Sequence, residues 1–150
     1  MPEKATVQRA RADARRGRSA STQAGEFVRE EMHHIREGKH GARSTKQAIA
    51  IGLSKARRAG VPLRAPRRGS ASSQTRRKAE RDLARGKAGT RSPSRRRSRA
   101  TSRALRREGH QAASRRSLGS QARSSARRRG HRNLSAAARK GARTRSKGRA

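Results

Sequence analysis

The stretch GEFVREEMHHIREGKHGARSTKQAIAIGLSKARRAGV, Gly25 to Val61, holds most of the large apolar side chains of a 150-residue chain. At about 100° per residue, Ala24, Val28, Met32 and Ile35 fall within an arc of about 80°, which Phe27 widens to about 140°. That pattern predicts a helix. Ser21 or Thr22 is placed to cap its start, Glu26 suits the positive end of its dipole, and Gly38 is a natural stop. A second helix opens at Ser44-Thr45-Lys46-Gln47, a capping-box pattern with a hydroxyl at the cap and an amide three residues on. It runs to Arg57 and Arg58 and is ended by Gly60 and Pro62. The Gly38–Arg43 link is short enough to turn the pair into an antiparallel hairpin. Its expected core is Phe27, Val28, Met32, Ile35, Ile49 and Leu53, with Gly52 permitting close approach of a partner helix. QAIAI also alternates with period two, as a strand would; the capping box favours the helix. Ile51 points off the Ile49/Leu53 face and hints at a second buried contact.

Outward from the hairpin the apolar residues run out. Leu, Ile, Val and Phe number 13 of 150, while Lys+Arg is 44 against 9 Asp+Glu, for a net charge of +35. So few apolar residues at so high a charge predict disorder. The fold class expected is therefore mostly disordered with a small all-α helical hairpin. Residues 1–20 read as a basic disordered arm, 21–63 as the hairpin module and 64–150 as an Arg-rich disordered tail. The tail carries thirty basic residues and three acidic ones. A hairpin of about 40 residues is marginal alone, which leads to the expectation of a homodimer through it, or of ordering on a partner.

Several classes are excluded. With no cysteine there is no disulfide framework, thiolate metal site or Cys nucleophile. The N-terminal MPEKATVQRA lacks the apolar region of a signal peptide, and the longest uncharged, largely apolar run, Gln47–Ser54, is far too short to cross a bilayer. A cytoplasmic, non-enzymatic protein without cofactor, small-molecule substrate or membrane partner is expected. His33-His34 and His40 offer no helical i,i+4 His pair, so no metal site is expected either. Glu26, Glu30, Glu31 and Glu37 are read as balancing Arg29 and Arg36.

The charge itself points to a polyanion. Of the basic residues 36 are Arg, whose planar fork grips phosphate oxygens bidentately. Candidate nucleic-acid contacts are the runs Arg76-Arg77-Lys78 and Arg95-Arg96-Arg97 with Arg99. Further along are the pairs Arg106-Arg107 and Arg115-Arg116, the run Arg127-Arg128-Arg129 with Arg132, and Arg139-Lys140. If about nine of these pair with phosphates, the log–log salt slope is about −8. Phe27 is the sole aromatic apart from histidines, and it lies on the core face, so stacking readout of single strands is disfavoured. Backbone-directed binding without sequence specificity remains, with DNA favoured, RNA an alternative, and a protein-interaction hairpin on a basic tether a third reading.

The hairpin also resembles a bacterial family of small basic proteins catalogued only as a domain of unknown function. The resemblance rests on Glu37-Gly38-Lys39-His40 and on KQAIAIGLSKA, Lys46 to Ala56. It implies a bacterial source and a cytoplasmic, nucleoid-associated, histone-like setting, and it brings no catalytic residues.

Overall fold

Residues 2–89 and 94–147 are described by a computed structural model, and among them every regular element is helical. Of the two central helices, the second begins where its capping signal places it and the first begins ahead of the cap expected at Ser21 or Thr22. Helix α2 (Ala20–Arg36) starts behind Ser19, whose hydroxyl accepts from the Thr22 N–H at 3.3 Å, slightly ahead of the expected cap. Its end is turned by Gly38 at φ +73°, a left-handed position that glycine adopts without strain. Helix α3 (Thr45–Arg58) begins at Ser44, whose Oγ accepts from the Gln47 N–H at 3.2 Å, while Gln47 Oε1 accepts from the Arg43 N–H at 2.8 Å.

The helices touch through small residues. Thr45, Ala48, Gly52 and Ala56 form the buried seam of α3, and a Cβ on Gly52 would stand 2.7 Å from Val28 Cα. Of the expected core, Phe27, Met32 and Ile35 are buried, but Val28, Ile49 and Leu53 are only half-buried, as is Ile51. Closely crossing backbones leave the large residues at the flanks of the seam and put alanine in its centre.

The expectation of a mostly disordered chain is overturned. The arm is a helix, α1 (Lys4–Arg15), packed on α2 with Thr6 and Ala10 buried. The segment after the hairpin supplies α4 (Ser73–Lys87), packed on α3 with Ala79 buried. There Gly86 lies so close that a Cβ would overlap the Arg57 carbonyl oxygen. Ser54 Oγ donates to Asp82 Oδ2 at 2.6 Å across the same contact. Arg57, 7% exposed, donates from Nε to Leu63 O (3.0 Å) and from Nη2 to Arg64 O (3.3 Å), fixing the connection to α4. Burial lowers the pKa of its guanidinium, with nearby Asp82 opposing the shift.

Helix α5 (Arg95–Arg106) is exposed along nearly its whole length, yet the chain after it returns to the hairpin turn. The Gly41 N–H donates to Leu105 O at 2.8 Å and the Ala42 N–H to Gly109 O at 3.0 Å. The Thr45 hydroxyl donates to Ala112 O at 2.7 Å, and Arg36 Nε to Ala113 O at 2.9 Å. A 3-10 turn (Gln111–Ala113) buries Ala112 and Ala113 against α2 and α3.

A second compact unit begins at Arg115. It is helix α6 (Arg115–Lys147), broken at Gly130, whose φ of 71° and ψ of 162° lie in a region open essentially to glycine alone.

Order comes from alanine, which a count of Leu, Ile, Val and Phe leaves out. Ala10, Ala24, Ala42, Ala48, Ala56, Ala79, Ala112 and Ala113 are all buried. Alanine and arginine are also among the best helix formers, so Arg/Ala-rich segments form helices that need only a narrow strip of methyl groups to dock. No helix among the described residues is long and apolar enough to cross a membrane.

Candidate functional site

Helix geometry sorts the basic runs into faces. On α5, Arg95, Arg96, Arg99, Arg103 and Arg106 fall within about 100° of arc at about 100° per residue, and all five are exposed. Arg96, Arg99 and Arg103 line a shared concavity with Ala100. Arg97 points to the other side, away from the stripe. Apart from Arg97, serine, threonine, alanine and Leu105 make up the rest of the helix, and α5 contains no carboxylate. The stripe covers about 16 Å of helix axis at about 1.5 Å per residue. A duplex strand presents a phosphate about every 3.4 Å of axis, so that length faces roughly five phosphates. Arg103 was not among the residues singled out from sequence; its spacing of four from Arg99 is the signal that marks it.

The other candidates are distributed unevenly. On α4, Arg77 and Lys78 are exposed with Arg81 and Arg85, whereas Arg76 is half-buried with Nε 3.9 Å from Glu80 Oε1. Arg107, at the end of α5, is exposed. Within α6, Arg115, Arg116, Arg127, Arg128, Arg129, Arg139 and Lys140 are exposed. Arg128 donates to Ser124 Oγ (2.8 Å) and Ser125 Oγ (3.2 Å). The Arg132 side chain lies outside the described residues. Arg123, unmarked by the sequence reading, joins Ser120, Ser124, Arg127 and Arg128 around a second concavity.

A different kind of site lies at the turn between α2 and α3. Glu31 is fully buried and Glu30 nearly so, both projecting from α2. Lys55 of α3 reaches them, with Nζ 2.6 Å from Glu31 Oε2 and 3.7 Å from Glu30 Oε1. The Glu3 N–H donates to Glu30 Oε2 at 3.2 Å. Because Gly38 reverses the chain, His40 returns over α2 and sets its Nε2 3.3 Å from Glu31 Oε1. His34, one turn beyond Glu31, places Nε2 2.8 Å from Glu3 Oε1 and meets the His40 ring edge-on at 6.1 Å. Neither oxygen of Glu31 has a partner of hydrogen-bonding geometry.

The rim of this cluster is exposed. The ring of His34, and Lys39 beside it, hold the Glu3 carboxyl below its ordinary range. Lys39 does the same for Glu37, and Glu37 in turn raises Lys39. The glutamates therefore do not balance Arg29 and Arg36 as the helix spacing implied. Glu26 pairs with Arg9 of α1 at 2.7 Å, and Arg36 is spent on a backbone carbonyl. The cluster went unseen in sequence because His40 comes from beyond the turn. Glu31-x-x-His34, a one-turn spacing, was its only local sign.

Residues 15–68 match the model of a family of unknown function, DUF6496. The match takes in α2, α3 and the buried cluster apart from Glu3, and leaves outside α4, α5, α6 and all of α1 but its last residue. No curated protein and no solved structure matches the chain.

Proposed function

We propose that the chain binds nucleic acid through the phosphate backbone, without sequence preference, duplex DNA being the favoured form. The observation that carries this reading is the five-arginine stripe of α5, exposed, free of acidic residues and matched in charge spacing to one strand of a duplex. Guanidinium forks presented along one helix face grip successive phosphates without reading bases. The packed α1–α4 body then serves as a platform for that helix, since the chain on its far side is tied to the hairpin turn. A nucleoid-associated, compacting role follows from such binding by a chain of this charge.

Fluorescence anisotropy of a labelled mixed-sequence duplex over a salt series tests the proposal. Replacing the five stripe residues by glutamine keeps good helix formers in place and removes about five phosphate contacts. The log–log slope should fall by about 4.5. An unchanged slope would reject α5 as the interface. Challenge with equal phosphate of RNA separates the two nucleic acids: retention of DNA supports the reading, and ready displacement makes RNA the natural ligand of the same surface.

A further inference from the structure

The buried cluster has the outer arrangement of a metal site. A backbone carbonyl only accepts, so the contact of 3.2 Å between His40 Nδ1 and Gly41 O requires the proton to sit on Nδ1. Its Nε2 then faces Glu31 Oε1 at 3.3 Å, a gap that a proton or a metal ion would bridge. His34 repeats the pattern, with Nε2 donating to the Glu3 carboxylate at 2.8 Å. Metal-ligating histidines characteristically spend their second ring N–H in this way, on a carboxylate or a backbone carbonyl.

We propose that Glu31, His34 and His40 bind one divalent transition-metal ion of the Zn2+ class. One ligand atom from each lies within 4.8 Å of the others. In a tetrahedral zinc site with bonds of about 2.0–2.1 Å, ligand atoms stand ~3.4 Å apart, so a modest closing of side chains suffices. Two imidazoles and a carboxylate suit zinc, cobalt or nickel, and do not suit magnesium or calcium, which take oxygen ligands. The charge also fits. With neutral imidazoles, Glu3, Glu30, Glu31 and Glu37 outnumber their lysine partners, Lys39 and Lys55, by two, and a divalent cation makes up the difference. Glu31 would bind through Oε1, leaving Oε2 on Lys55. The ion would clamp the returning turn at His40 onto α2.

The test uses the full chain, stripped with chelator, titrated with Co2+ and then Zn2+. One equivalent of Co2+ should give visible ligand-field absorption that Zn2+ abolishes, and Mg2+ should not compete. His34→Ala and His40→Ala should each weaken binding at least tenfold, while His33→Ala, on an exposed ring of the same helix, should not. Glu3→Ala should weaken it about 10–100-fold through loss of the outer acceptor. If the His variants unfold by circular dichroism, ring 1H–15N spectra of the unaltered protein decide the matter. Zn2+ must then shift the nitrogens of His34 and His40 and spare those of His33. Absence of stoichiometric Co2+ binding, or equal perturbation of all three rings, would overturn the proposal.

Discussion

Replacing Gly86 by alanine distinguishes a docked α4 from a solvated helix by the sign of the effect. In a helix with no neighbour, Gly→Ala stabilises by up to about 1 kcal/mol, since alanine loses less chain entropy. Gly25 of α2 is such a position, with nothing within 4 Å of a Cβ. At Gly86 the added methyl would overlap the Arg57 carbonyl oxygen, short of ordinary contact by more than an ångström. The obstacle is backbone held at the end of α3, so it cannot swing aside as a flexible side chain would. Overpacking of this kind costs about 1–3 kcal/mol. Displacing α4 also strains the Ser54–Asp82 hydrogen bond, a class worth about 1.5–3 kcal/mol when one partner is charged. Thermal unfolding of the full chain, followed by circular dichroism, reads the outcome. At roughly 4 °C per kcal/mol for a unit of this size, Gly25→Ala should raise the midpoint by up to about 4 °C. Gly86→Ala should lower it by about 4 °C or more. A Gly86→Ala protein stabilised as much as Gly25→Ala would show that α4 does not pack there, and the docking argument for the rest of the post-hairpin chain would fall with it.

Three further outcomes are expected. Gly41→Ala would drive a methyl into the Glu108 carbonyl, so it should release the returning segment and speed tryptic cleavage at Arg106 and Arg107, with the far-UV spectrum little changed. Lys55→Met leaves two buried carboxylates facing each other and should destabilise by about 3–5 kcal/mol in urea titration; adding Glu31→Leu should recover part of that loss. Arg57→Met removes the donors to Leu63 and Arg64 and should raise hydrogen exchange across 61–66 while leaving α5 unaffected.

The hairpin was legible because its signals are local. Ser44 with Gln47, Gly38 and Gly60 act within a few residues of where they stand, and each ends or begins a helix in the structure. The docking of α1 and α4 was not legible, because it depends on Ala10, Ala79 and Gly86 meeting distant partners, and small residues leave no periodic mark against an Arg/Ser/Ala background. The candidate site divides in the same way. The basic runs are visible as letters, but only helical phase separates Arg97 from the stripe and brings Arg103 into it. The pairing of Glu31 with His40 waits on a turn whose reversal no spacing rule predicts.

All nine carboxylates stand at or before Glu108, and residues 115–150 have none. Ionic strength must therefore act in opposite senses along one chain. Counterions at about 0.15 M shorten the reach of exposed charges to about 8 Å. Pairings such as Arg9–Glu26 and Glu3–Lys39 lose attraction as that reach shrinks. Within α6, where like charges recur at helical spacing, the same counterions relieve repulsion and favour the helix. A condensed polyanion would act on α6 as a far more concentrated salt, so its order should follow what it is bound to more than the ionic strength around it.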